Sequence, residues 1–311
     1  MDRFDLKASA LPLSSPDFGT PCAPELARPL ELIDPAQSPG PVVVSSPHSG
    51  AIYPAALIAA SQLDAFTLRR SEDAFVDQLL SSAPELGVPL LKAHFPRAYL
   101  DVNREPYELD PRMFDGPLPS YVNSRSLRVA GGLGTIARVV GEAKDIYPRR
   151  LPVSEAFARI EALYVPWHRT LRGVMARAHR LHGQAVLIDC HSMPSHNGRA
   201  ERIKTDIVLG DRYGTSCDPA VTDAADSVLS SLGYRVSRNK PYAGGFITEH
   251  YGDPAMGWHA LQIEINRALY MDEATLEPLP SFEDLKGHLH QMIAQIVEVV
   301  DRPGQRRLAA E

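Results

Sequence analysis

The stretch Ala185-Val186-Leu187-Ile188-Asp189-Cys190-His191-Ser192 decides the fold class. Its four apolar residues are too few for a helix, and they run straight into residue types that bind metals and move protons. That is the signature of a short buried strand with chemistry at its carboxyl end. The same form recurs along the chain. Val42-Val43-Val44 is closed by SSPHSG, and Ala98-Tyr99-Leu100-Asp101-Val102 is closed by Asn103-Arg104. Asp206–Gly210 and Ala260–Ile265 supply two further strands. Short apolar runs separated by helical patterns predict an α/β fold in a single domain, with a mixed, mostly parallel twisted sheet flanked by helices.

Two helices read clearly. After Pro152, apolar residues recur at Phe157, Ile160, Tyr164, Trp167, Leu171, Val174, Ala178 and Leu181, and Gly183 ends the pattern. Steps of three and four make one amphipathic stripe. Pro166 falls inside it and predicts a kink or a split. Near the C-terminus, Ser281 and Asp284 have capping-box spacing ahead of a face formed by Leu285, Leu289, Met292, Ile296 and Val299. Residues 109–146 read as an irregular functional loop region. The domain reading is an extended N-terminal arm over 1–40, a catalytic α/β domain over 41–300 and a tail over 301–311.

The chain has 311 residues, 44% of them hydrophobic, enough to bury a substantial core. It contains no apolar run of membrane-spanning length, and its start lacks a basic-then-apolar signal, so a cytoplasmic protein without a membrane partner is expected. Cys22, Cys190 and Cys217 are too scattered for a disulfide framework. A net charge of −6 and no basic stripe argue against nucleic acid as a partner. An acidic substrate would have to be held by particular arginines rather than by the overall field. The oligomeric state stays open, a homo-oligomer included.

In open α/β sheets, ligands bind outside the carboxyl ends of the strands, where His48, Arg104 and His191 all fall. Two imidazoles and one carboxylate make the open three-ligand set of a catalytic zinc site. Buried structural histidines are the alternative. Asp189 is suited to orienting a ligand imidazole. For the carboxylate, the nearest pair is Glu72-Asp73, which could equally complement the dipole of a helix running DAFVDQLL. In the strand ALQIEIN, Gln262, Glu264 and Asn266 share the face opposite Leu261, Ile263 and Ile265. A carboxylate in so apolar a strand is costly unless it is paired or faces a binding site, so Glu264 is a candidate general base. An ion pair with Arg267 is its structural alternative. Arg104 could grip a carboxylate with its fork, and Arg97 could polarise a scissile carbonyl. For either, an ordinary salt bridge is the competing role. Gly244-Gly245 permits close approach of the backbone to a ligand.

Taken together, SSPHSG, EDAFVDQLL, HFPRAYLDVNR, AVLIDCHS, GTSCDP, GGFITEHYG and QIEINRALYMDE resemble the N-formylglutamate amidohydrolase family. They stand in the family's order and cover roughly residues 40–295. The resemblance implies a fold like that of zinc carboxypeptidases and aspartoacylase-type deacylases. It also implies one zinc ion, or another divalent metal, and hydrolysis of N-formylglutamate to formate and glutamate in histidine breakdown. It assigns His48, Asp73 and His191 to the metal and Glu264 to the base. Asn103-Arg104 falls to the substrate carboxylate, and Arg97 to the carbonyl. A small acidic acyl-amino acid is the implied partner. A metallopeptidase or amidase working on a larger peptide or cell-wall-type substrate, and a non-catalytic binding protein, are the competing readings.

Overall fold

A computed structural model describes residues 22–37, 39–141, 143–196 and 203–301. The expected tail, apart from Asp301, and the first 21 residues of the expected arm lie outside the described residues. The rest of the arm includes a short 3-10 turn at Pro24–Leu26 and a strand, β1, at Leu30–Ile33.

The architecture is mixed α/β around one sheet of seven strands. After β1 come β2 (Val42–Ser46), β3 (Leu90–Ala93), β4 (Ala185–Met193), β5 (Ile207–Gly210), β6 (Val236–Arg238) and β7 (Trp258–Asn266). Their order is β1-β3-β2-β4-β7-β5-β6. The centre is parallel: β2 and β7 both run alongside β4, while β5 lies antiparallel to β7. Every residue of β4 is buried, which is what a strand covered on both faces requires.

Two strand readings need correction. Ala98–Val102 is a buried turn, its first bonds closing from Tyr99 N–H and Leu100 N–H onto the Pro96 carbonyl. An apolar run this short looks the same in a buried turn as in a strand. The strand beside it in sequence is β3. Conversely, β4 does not stop at Ile188 but continues through His191 to Met193.

The stripe after Pro152 is continuous helix: α1 (Val153–Arg159), a π-turn (Ile160–Tyr164) and α2 (Val165–His182). Pro166 does not break it. A regular helix would drive the proline ring against the Ala162 carbonyl, and the widened turn just before it absorbs that conflict. Leu181, expected inside, is exposed. Pro219–Ser231 (α3) is capped by the Asp218 carboxylate on Ala220 N–H, and Phe282–Val300 (α4) buries Leu285, Leu289, Met292, Ile296 and Val300, whereas Val299, expected on that face, is only part-buried. The Ser281–Asp284 capping box is not formed, because the Ser281 hydroxyl donates to the Leu269 carbonyl instead.

The chain divides into two compact units. One comprises the N-terminal segment to Glu31, Pro47–Ala74 and Lys92–Gly173; the other comprises Leu32–Ser46, Phe75–Leu91 and everything from Val174 onward. Among the described residues no helix is long and apolar enough to cross a membrane.

Candidate metal centre

His48 leaves the end of β2 in a turn shaped by Gly50. A side chain at Gly50 would place its first carbon 2.2 Å from the Phe95 carbonyl oxygen, so only glycine fits. The next turn of chain is stitched to this one, since Asp73 N–H donates to the His48 carbonyl at 3.0 Å. The Asp73 carboxylate then comes within 3.4 Å of His48 Nδ1. Its neighbour Glu72 is turned away and held by the Arg69 guanidinium at 3.0 and 3.3 Å. Neither acid complements a helix dipole, because the helix begins only at Val76, after Phe75 in a left-handed conformation.

The opposite edge of the His48 ring meets a residue that sequence reasoning missed. Nε2 lies 2.8 Å from Asp101 Oδ1. A carboxylate only accepts, so Nε2 carries the proton and Nδ1 the lone pair. Asp101 also takes Arg97 Nη2 at 2.8 Å and stands 3.5 Å from Arg104 Nη2. Burial opposes its ionisation, but the charges of Arg104, His48 and Arg97 outweigh it and hold the carboxyl well below the ordinary carboxylate range. Asp101 was discoverable: like Glu264, it is a lone acid inside an apolar run. Arg104 itself also donates to the carbonyls of Leu133 and Asn103, at 2.8 and 2.7 Å.

His191 is arranged in the same way on β4. Its Nε2 donates to Asp189 Oδ2 at 2.8 Å, and Asp189 Oδ1 accepts from the Ser45 hydroxyl at 2.6 Å. The parallel register pairs His191 with Glu264 and Asp189 with Gln262. Paired residues of adjacent strands point to one face, so the expected base stands next to the expected ligand. Gln262 accepts from Gly245 N–H at 2.7 Å, which ties the Gly244-Gly245 loop to this face. Gly244 has a φ of +124°, and the stem of Arg212 and the Thr248 side chain crowd its open side. Arg267 donates to the Ser192 hydroxyl at 3.0 Å.

The ligand atoms of His48, Asp73 and His191 all lie within 4.8 Å of one another, and all three residues are buried. The sequence model of the N-formylglutamate amidohydrolase family matches residues 40–271. The chain belongs to that family. Two relatives named N-formylglutamate deformylase, from Pseudomonas aeruginosa and Pseudomonas putida, are each 30% identical to this N-formylglutamate amidohydrolase family member. Each alignment covers 86% of the chain, and 96% and 94% of the respective relative. The crystal structure of N-formylglutamate amidohydrolase from Ralstonia eutropha JMP134 superposes with a TM-score of 0.83 at 36% identity, covering 88% of this chain and 98% of that one.

The donor set of this family member fits a single small divalent cation. A tetrahedral ion bonded at ~2.0–2.2 Å needs its donors roughly 3–4 Å apart, and His48 Nδ1 and Asp73 Oδ2 already stand 3.4 Å apart. Each imidazole has its other nitrogen held by a carboxylate, the usual support of a metal-binding histidine. Four other histidines bond backbone groups instead. His168, His179 and His182 bond the carbonyls of Val102, Met256 and Pro39, and His259 Nδ1 accepts from Asp218 N–H.

Proposed function

We propose that this chain hydrolyses the N-formyl amide of N-formylglutamate, giving formate and glutamate, with one zinc ion held by His48, Asp73 and His191. The observation that carries the reading is the buried His-Asp-His group with a carboxylate orienting each imidazole. The names and extent of the relatives support the substrate. When bound, zinc polarises the scissile carbonyl and makes water acidic enough to attack near neutral pH.

The chain's own residues do the rest. Glu264, fixed beside His191 by the strand register, accepts the proton of the attacking water and returns it to the leaving nitrogen. Arg97, anchored at Asp101, faces the oxyanion that develops on the formyl carbonyl. Arg104, with Asn103 beside it, holds a substrate carboxylate, and the Gly244-Gly245 backbone borders the bound molecule. The test is hydrolysis of a panel of N-formyl, N-acetyl and N-carbamoyl amino acids by zinc-loaded protein. N-formylglutamate is expected to lead the panel. No release of formate from it, or undiminished release by metal-stripped protein, overturns the reading.

A further inference from the structure

The segment from Tyr99 to Arg104 carries Asp101, yet it belongs to no strand ladder. Its carbonyls need partners, as buried backbone does. Three of them are taken by side chains of one helix. Arg159 Nη1 donates to the Tyr99 carbonyl at 3.2 Å, and the Tyr164 hydroxyl donates to the Arg104 carbonyl at 2.9 Å. His168 Nε2 donates to the Val102 carbonyl at 2.9 Å. All three side chains reach the same short stretch on either side of Asp101.

In a regular α-helix they could not do so together. A residue five positions on is turned by about 140° from the first, at 3.6 residues per turn. Arg159 and Tyr164 are five apart. The π-turn between them closes Val165 N–H onto the Ile160 carbonyl, so the widened turn takes in an extra residue and brings Arg159 and Tyr164 closer to one face. His168 follows one regular turn later, its ring 4.2 Å from that of Tyr164 between centroids. One added residue in the turn thus lines up three donors.

We propose that Arg159, Tyr164 and His168 are positioning residues of the metal centre, which the π-turn aligns so that they fix Asp101 and, through it, the ring of His48. The relay runs from helix side chain to carbonyl, from the 99–104 backbone to the Asp101 carboxylate, and from that carboxylate to His48 Nε2. Its role rests on the metal reading of the site given above. Loosening it lets the His48 ring rotate out of line, which weakens the metal without removing any ligand.

The experiment measures zinc dissociation constants by chelator competition in full-length protein, together with the thermal midpoint of the metal-free form. Tyr164→Phe and His168→Leu each delete one donor, and His168→Gln retains an N–H that can reach the carbonyl. Val174→Ala is the control, a buried truncation on the same helix six residues beyond His168. Tyr164→Phe and His168→Leu are expected to weaken zinc about tenfold, the low end for lost outer support of a ligand. His168→Gln should recover most of the loss, and Val174→Ala should lower the midpoint while leaving zinc affinity at the parent value. Zinc affinities within twofold of the parent for Tyr164→Phe and His168→Leu overturn the proposal, as does an equal loss in Val174→Ala. A parent that binds zinc but releases no formate from N-formylglutamate refutes the proposed activity alone, and the affinity ratios still decide the relay.

Discussion

Gln262 donates its side-chain N–H to Glu264 Oε1 at 2.8 Å, two residues along the same face of β7. The amide cannot be turned the other way. Its oxygen accepts from Gly245 N–H, a group that can only donate. One oxygen of the proposed base is therefore held, while the register keeps the carboxylate alongside His191. Glu264→Gln preserves this shape and removes the base, so zinc content should persist while kcat falls by roughly 10²–10⁴. Parallel metal analysis and steady-state kinetics check this, and near-parental turnover would assign the base to another residue.

The proposed carboxylate ligand, Asp73, can be told from its neighbour by substitution. Asp73→Asn should lose zinc and activity together, because a neutral amide is a far poorer donor to a divalent cation. Glu72→Gln should keep both. Its cost is the Arg69 pair, worth no more than about 1 kcal/mol given how exposed that arginine is, and visible only as a small drop in thermal midpoint. Loss of zinc in Glu72→Gln would reverse the assignment.

Arg104 serves two masters, Asp101 and, in the proposed reaction, a substrate carboxylate. Arg104→Lys keeps the charge but not the fork, and should already lower kcat/KM for N-formylglutamate. Arg104→Ala should cost more, on the order of 2–5 kcal/mol in transition-state stabilisation if the carboxylate is stranded. The comparison that matters uses an analogue in which that carboxylate is an amide. A selective loss for the acid supports recognition, and an equal loss for both substrates assigns Arg104 to holding Asp101.

Two of the three cysteines should be silent. Burial, reinforced by Asp189 and Glu264, pushes the Cys190 thiol well above its ordinary value, and burial does the same for Cys217. Cys22 is raised less completely shielded, being only part-buried. A thiol raised on folding favours the folded state in full below its unfolded value of about 8.5, and that contribution is lost progressively as pH climbs from there through the folded value. Native protein at pH 8 should therefore label at Cys22 alone and slowly, with or without chelator, and three thiols should appear on denaturation. Rapid labelling of a second thiol after zinc removal would bring a cysteine into the metal centre.

The grouping of His48, Asp73 and His191 was legible because candidate residues of the site contradict their surroundings. Glu264 in an apolar strand, and histidines closing apolar runs, stand out in one dimension. Asp101 obeyed the same logic, but its partner His48 is 53 residues away, and nothing local names it. The strand at Leu90–Ala93 and the turn at Tyr99 are both short and buried, and only pairing distinguishes them. Pro166 predicts a kink or a split, but the helix stays continuous through a widened turn. That this turn faces the carbonyls of residues 99–104 is something no periodicity reports.

The ladder that joins β4 to β7 also limits how this protein can change over generations. Side chains alternate along a strand, so a single inserted residue ahead of His191 or Glu264 would rotate that residue to the far side of the sheet. Lineages descending from such an insertion would lose the proposed reaction at once. Segments that carry neither the metal-centre residues nor their supports bear no such penalty, and backbone length there can vary more freely. Descendants of this chain should accordingly diverge in what they accept as substrate long before they diverge in how they break the bond.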